Sequence, residues 1–495
     1  MIGSWHLAAD IGSESGKIIA GRIVNGKIET AELHRFRTQD FRLNNRRARN
    51  FYRYHEEILH SLKLFADQYG SELCSIGVDA WGGDFVLLDR KGNITRLPSS
   101  YRDHAFSDVA KIVERNFGRF NLYRITGNQE MPTDTLHQIL RLQQEDEPSI
   151  EAPHAILFVA DVFHYLLGGE ISCEHSLVSY SRIFNRERDD WDDSILDAFG
   201  IPRSIKTKIS HAGECVGQVN PRILADAGIF GTVDIITPCS HDTACAALAV
   251  ADAGDDWAFI SSGTWSLMGT ETPVSIHSEE AWRHNFSNST MPLMTNMFKK
   301  NITGTWIIQQ CKDAWKKYSY SEIVELAKNA PDLDCFVDVD APDLYANDDM
   351  PGMICGMIGE YFGIRVDPED AGAVARIIFQ SMALKYDFYL GKLLKAAGKT
   401  ISKIYIVGGG SKNYLINQFT ANASGYPVYT GVFEASSVGN LLLQAYGCGE
   451  LADKDAMRRV VINSFPQNCF QPEDRERWAL KREIFLRDVP HRSEF

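Results

Sequence analysis

Two polar clusters carry residue types that do chemistry. Ser240-His241-Asp242-Thr243 sets a carboxylate between an imidazole and a hydroxyl. Downstream, Ser261-Ser262-Gly263-Thr264-Trp265-Ser266 forms a small Gly-centred turn between the apolar runs Trp257-Ala258-Phe259-Ile260 and Leu267-Met268-Gly269. A carboxylate accepts a proton from an alcohol. A Gly/Ser/Thr turn with free backbone N–H groups holds phosphates. Together they point to phosphoryl transfer from a nucleotide to a hydroxylated substrate. Asp242 has a second reading, as the N-cap of a helix beginning near Thr243, and one residue can serve both ends.

The same chemistry recurs at the N-terminus. Leu7-Ala8-Ala9-Asp10-Ile11 reads as a buried strand, and Ile18–Val24 as a second, joined by Gly12-Ser13-Glu14-Ser15-Gly16-Lys17. Gly permits close backbone approach. Ser13, Ser15 and Lys17 offer donors to phosphate oxygens, and Asp10 is placed to face magnesium through water. The turn is one residue short of G-x-x-x-x-G-K, and Ile18 stands where that loop requires Ser or Thr. It is therefore a phosphate-gripping hairpin candidate of another kind.

These clusters need strands and helices to aim them. Residues 6–36 read as successive β-segments. Arg53–Tyr69 has Ile58, Leu62 and Phe65 at helical spacing. Ser75–Ala80 reads as a buried strand ending at Trp81-Gly82-Gly83-Asp84, after which Phe85–Leu88 resumes the β pattern. Leu157–Leu167 reads as a helix closed by Gly168-Gly169. The alternation indicates an α/β fold. With 495 residues, two domains are expected, 1–250 and 251–495, divided at the polar stretch Ala251–Asp256. The second half echoes the first: hairpin, helices, then strand Lys403–Val407 into Gly408-Gly409-Gly410. A Gly-rich strand-to-helix turn of this kind admits a purine or ribose.

Composition excludes other classes. A net charge of −14 argues against nucleic acid, which favours basic stripes. Ten cysteines show neither a C-x-x-C pair nor a spacing that announces zinc or a disulfide framework. Reduced thiols in a cytoplasmic protein are the expectation. No stretch is long and apolar enough for a membrane span.

Seven words lie in order along the chain: Asp10–Lys17, Ile76–Asp84 with Leu87-Leu88-Asp89, Tyr101-Arg102-Asp103, Ser240–Ala244, Ser261–Gly269, Asn301–Trp306 with Gln309, and Ile406–Ser411. In these the chain resembles the FGGY family of carbohydrate kinases. The resemblance implies two actin-like (ribonuclease H-like) domains with the active site in the cleft between them. It implies ATP and magnesium as cofactors and Asp242 as the base. It places the sugar at His241, Thr243 and Asn301, with Gly83 giving a sugar hydroxyl access to the backbone. It places ATP at Ser13, Glu14, Ser15, Gly16, Lys17, Thr264, Gln309 and Gly409, the last on the adenosine side. Trp81 and Asp84 fall beside the same pocket, and Glu434–Asn440 opens a helix near the nucleotide.

Within the family the wording is most similar to the branch that phosphorylates L-rhamnulose. The loops at Thr126–Pro132 and Ser176–Tyr180, together with Gly83 and with Lys17 in place of Arg, depart from the common pattern and leave L-fuculose or xylulose as alternatives. An actin-like nucleotide-binding protein without catalysis is the rival of another class. It would have no need of Asp242 in a sugar cleft.

Overall fold

The structure is a computed structural model that describes residues 3–43, 46–100, 109–131, 133–252, 254–345 and 349–490. Tyr101-Arg102-Asp103 and Pro132 lie outside the described residues. Two large sheets organise the chain, and each grows around a hairpin. In the first, strand Trp5–Ile11 pairs antiparallel with Ser15–Val24 and parallel with Leu73–Ala80. Leu7, Ala8, Ala9 and Ile11 are fully buried, which is why residues 7–9 are apolar on both faces rather than alternating. Its sheet order is Cys215–Gln218, Asp234–Ile236, Leu73–Ala80, Trp5–Ile11, Ser15–Val24, Lys27–Arg37.

The second sheet repeats the plan. Trp257–Ser262 pairs antiparallel with Trp265–Thr272 and parallel with Lys403–Val407. Asn296–Thr303 joins beyond the hairpin, and Val428–Thr430 beyond the parallel strand. In each sheet the parallel partner of the first hairpin strand runs into a Gly-rich turn, Gly82-Gly83 in one and Gly408–Gly410 in the other. This is the α/β architecture expected from the residues, in the two-domain, actin-like form that the family resemblance implies.

Helix Phe51–Tyr69 buries Ile58, Leu62 and Phe65 against the first sheet and stops at Gly70. Residues 155–158 correct the expectation of one helix over 157–167. Ala155–Phe158 is a strand paired with Phe85–Leu88, and the helix runs only from Val159 to Leu167. The apolar run Ala155–Val159 carries no periodicity to separate the two states, and pairing with Phe85–Leu88 decides it.

Two helices fill the space between the sheets: Asp242–Leu248 and Ala435–Gly447. They cross at Gly439, where a Cβ would lie 2.0 Å from the carbonyl oxygen of Cys245, so only glycine fits. The Ala435 helix follows the second sheet in sequence yet bonds to the backbone of the first. Gln444 donates to the Leu7 carbonyl at 2.8 Å and Asn440 to the Gly77 carbonyl at 3.1 Å.

Candidate active site

Strand register gathers a charged row at the end of the first sheet. Antiparallel pairing sets Lys17 opposite Asp10, and parallel pairing sets Asp10 beside Asp79. Lys17 Nζ lies 3.0 Å from Asp10 Oδ2 and also donates to Glu434, the residue preceding the Ala435 helix. Ser437 donates to Asp10 at 3.2 Å, and Asn440 to Asp79 Oδ1 at 2.6 Å. Asp79 Oδ2 is buried with no hydrogen-bond partner. Burial pushes both carboxyls up, the nearby Asp242 charge adds to this, and Lys17 pulls Asp10 part of the way back. Burial disfavours the Lys17 ammonium, but the charges of Asp10 and Glu434 outweigh it.

The Ser240–Thr243 segment docks on the end of the Leu73–Ala80 strand, where the Ala80 N–H donates to the Ser240 carbonyl at 2.8 Å. Glu174 and Ser176 hold it from behind. Glu174 accepts the Ser240 N–H at 2.9 Å, and Ser176 Oγ accepts the His241 N–H at 3.0 Å. Burial pushes the Glu174 carboxyl up to about 7. Asp242 is the first helical residue and His241 occupies the cap position, one residue earlier than the capping reading of Asp242. Asp242 Oδ1 accepts the Thr243 N–H at 2.6 Å and its hydroxyl at 3.2 Å, with His241 Nδ1 at 3.0 Å. Burial would raise this carboxyl. The imidazole and the Thr243 donors hold it below the usual range, so it stays ionised and is 29% exposed.

Opposite Asp242 stands the Asn296–Thr303 strand of the second sheet. Period-two alternation projects Lys299 and Asn301 from one face. The Lys299 side chain, in a residue 1% exposed, makes no hydrogen bond or ion pair with any described residue. Its Nζ sits 5.3 Å from the ring centre of Tyr180, whose ring in turn meets His241 edge-on at 5.1 Å. Burial lowers the Lys299 ammonium to about 7 against the pull of Asp242. His241, Thr243, Ser289 and Lys299 line one narrow crevice. Asn301 Oδ1 is buried without a partner, while its Nδ2 approaches Met131 Sδ at 3.4 Å.

Gly83 is buried at φ 100°, and its carbonyl already accepts from Thr135 at 2.9 Å and Gln138 at 3.2 Å. Trp81 and Asp84 bond to each other at 2.9 Å, and Asp84 is fully buried. The two unusual loops are tied together by Asn128, which donates to the Ser179 carbonyl at 2.5 Å.

The two hairpin turns are braced from behind, which leaves their tips outward. Thr38 donates to the Gly12 carbonyl at 2.5 Å and Arg49 to the Ser13 carbonyl at 2.9 Å. Ser13, Glu14 and Ser15 stay half-buried. Gly16 is a different case. A Cβ there would lie 2.3 Å from the Phe36 ring, so packing alone requires glycine. On the second hairpin the Gly263 carbonyl accepts the Thr305 N–H at 2.9 Å, and the Thr264 carbonyl accepts the Trp306 N–H at 3.2 Å. These bonds fix the turn to helix Trp306–Trp315, which carries Gln309. Beyond strand Lys403–Val407, Gly408 has φ 83° and a Cβ on Gly410 would strike Ser262 Oγ. A Cβ on the exposed Gly409 would meet nothing within 4 Å, so this is where the turn leaves space.

The fold and this cleft define a two-lobed kinase architecture. Residues 5–249 match the N-terminal domain model of the FGGY family of carbohydrate kinases, and 258–448 match its C-terminal domain model. The chain belongs to the FGGY family and is an enzyme that phosphorylates sugars. It is 32% identical over 473 residues to a rhamnulokinase of Bacteroides thetaiotaomicron, covering 95% of this chain and 96% of that one. It is 34% identical over 472 residues to a rhamnulokinase of Enterococcus faecalis, covering 94% of each. A ligand-bound xylulose kinase from Lactobacillus acidophilus superposes with a TM-score of 0.81 over 97% of this chain and 96% of that one, at 13% identity. Plasmodium falciparum glycerol kinase with ADP superposes with a TM-score of 0.76 over 98% of this chain and 97% of that one, at 14% identity. At such identities the two structures speak for the fold alone. Among the described residues no helix is long and apolar enough to cross a membrane.

Proposed function

We propose that the enzyme transfers the γ-phosphoryl group of ATP to L-rhamnulose, giving L-rhamnulose 1-phosphate and ADP. The observation that carries the chemistry is Asp242, an ionised, partly open carboxylate between the charged row of the first sheet and the Lys299–Asn301 face of the second. The rhamnulokinase relatives, 31–34% identical over about 95% of the chain, support the choice of sugar. A 6-deoxy-ketose has its one primary hydroxyl at C1, so C1 is the site of transfer.

The C1 oxygen attacks the γ-phosphorus as its proton passes to Asp242, and the bond to the β-phosphate oxygen breaks to release ADP. His241, its pKa lowered by burial and by Lys299, accepts the Thr243 N–H at Nδ1, 3.4 Å away, and flanks the Asp242 carboxylate at 3.0 Å. Asn301 Oδ1 and the donors of Lys299 receive sugar hydroxyls that neither protein lobe satisfies alone. The tips at Ser13–Ser15 and Gly263-Thr264 hold the phosphates, with Gln309 and Gly409 on the nucleoside side. Lys17, bound to Asp10 and Glu434, orders the base of this site and reaches phosphate as a point charge. Asp10 and the unpartnered Asp79 Oδ2 make an all-oxygen set that fits magnesium. When bound, that ion neutralises phosphate charge. The lobes divide at 251–256, and the enzyme works in the cytoplasm with its cysteines reduced.

A sugar panel with coupled ADP detection, followed by phosphorus NMR of the product, tests the reading. Sugar-dependent ADP release and a 1-phosphate from L-rhamnulose are expected. ADP release indifferent to every ketose would sink it.

A further inference from the structure

Far from the cleft, at the other end of the Ala435 helix, three segments distant in sequence bring soft and borderline ligands together. His6 stands on the Trp5–Ile11 strand, Cys74 on Leu73–Ala80, and Cys448 just beyond the helix. One ligand atom from each lies within 4.8 Å of the other two. We propose that His6, Cys74 and Cys448 bind a structural zinc ion, with a water held by the nearby Glu450 in the fourth position.

The sulfur–sulfur distance matches an edge of a tetrahedral site. Zinc–sulfur bonds of about 2.3 Å at tetrahedral angles put two sulfurs about 3.8 Å apart. Cys74 Sγ and Cys448 Sγ are 3.7 Å apart. Glu450 Oε1, 3.4 Å from His6 Nε2, flanks the three ligands and is placed to hold a water bound in the fourth position.

The hydrogen bonds around His6 fix its tautomer. Gln444 Nε2 donates to the Leu7 carbonyl at 2.8 Å and to Asn440 Oδ1 at 2.6 Å, so Gln444 Oε1 is an acceptor. It takes the Ser75 hydroxyl proton at 2.7 Å. Ser75 Oγ must then accept from His6 Nδ1, 2.8 Å away. The proton is on Nδ1, and the lone pair on Nε2 points at the thiols. That nitrogen is buried and makes no hydrogen bond, in a ring only 1% exposed. A donor to the far ring nitrogen is the usual outer shell of a zinc-bound histidine. The Ser4 N–H, 2.9 Å from Glu450 Oε1, steadies the fourth group. Two thiols and an imidazole suit zinc better than magnesium or calcium, which prefer oxygen. No local spacing announces the site, because the ligands meet only when the helix docks on the first sheet.

The ion would clamp the far end of the helix whose near end holds Lys17 and Asp10. Its presence is independent of which sugar the enzyme uses, so the test separates from the kinase reading. Full-length enzyme from zinc-supplied cells is dialysed and its metal measured by mass spectrometry. About one zinc per chain is expected, falling to background in Cys448→Ser. Cobalt exchanged into the parent enzyme should show thiolate-to-metal charge transfer and tetrahedral ligand-field bands. A strong chelator should lower the parent melting temperature and leave that of Cys448→Ser unchanged. Three results overturn the proposal: zinc retained in Cys448→Ser, a parent that binds neither zinc nor cobalt, or a Cys74–Cys448 disulfide in place of metal.

Discussion

Asp242→Asn isolates the proton acceptor. The amide keeps an oxygen for the Thr243 N–H, which Asp242 Oδ1 accepts at 2.6 Å, so the helix start survives. What is lost is a basic group beside the sugar hydroxyl. A positioned general base contributes roughly 10²–10⁴ in rate, so kcat should fall by that factor. At about 1.4 kcal/mol per decade this is about 3–5 kcal/mol of transition-state stabilisation. Two effects on stability oppose each other. The Asp242 charge pushes up the buried carboxyls of Asp10 and Asp79, and its removal relieves that repulsion. The fold also holds the Asp242 carboxyl below its usual range, so its charge contributes stability that Asn gives up. The melting temperature should therefore fall modestly at neutral pH, with equilibrium binding of ATP and sugar largely kept. The assay is coupled ADP release at saturating substrates, with calorimetric titration of each ligand beside it. Turnover within a few-fold of parent would remove Asp242 from the mechanism, and loss of fold would show that its role is structural.

Lys299→Met should raise the sugar KM several-fold and leave the ATP KM unchanged, as steady-state titration would show. Its ammonium is lowered from 10.5 to about 7 in the folded chain, so the unfolded chain binds more protons between those values. Stability of the parent relative to Lys299→Met should therefore rise with pH across that window and be lowest below pH 7, and melts at several pH values would show a flat difference if this is wrong. Gly16→Ala and Gly409→Ala should split cleanly. The first drives a methyl into the Phe36 ring and should cost about 1–3 kcal/mol of stability, whereas the second should melt normally and bind ATP more weakly. Thr264→Val should weaken ATP on the order of tenfold and sugar hardly at all, since it removes one hydroxyl donor to phosphate; a change in the sugar constant alone would contradict the two-hairpin assignment.

Much of this was legible in the residues because local pattern and tertiary demand agree. Both hairpins, the helix carrying Ile58, Leu62 and Phe65, and the strand into Gly408 follow from periodicity and turn chemistry. The strand Ala155–Phe158 was not legible, since an unbroken apolar run fits helix and buried strand alike. Gly16 looked like a phosphate contact, but the reason for glycine there is Phe36 on the neighbouring strand, twenty residues away in sequence. Asp79 and Lys299 are further cases. Asp79 is a single charged residue in an apolar stretch, the one signal that could have marked it, whereas Lys299, followed by Lys300 and Asn301, carries no such mark. Only strand register shows that Asp79 lies beside Asp10, and only packing shows that Lys299 lies near Asp242. Glu174 and Ser176, which hold the Ser240–His241 backbone, act through contacts that no sequence spacing encodes.

The choice of sugar is the central claim, and a side-by-side measurement of kcat/KM for L-rhamnulose and L-fuculose tests it most directly. The two ketoses differ in configuration at one hydroxyl. A buried acceptor such as Asn301 Oδ1, matched to one epimer, is left unpaired by the other at a cost of about 1–3 kcal/mol. About 1.4 kcal/mol suffices for tenfold, so kcat/KM for L-rhamnulose should exceed that for L-fuculose at least tenfold. Equal or reversed values would contradict the rhamnulose assignment while leaving a sugar kinase of the FGGY family.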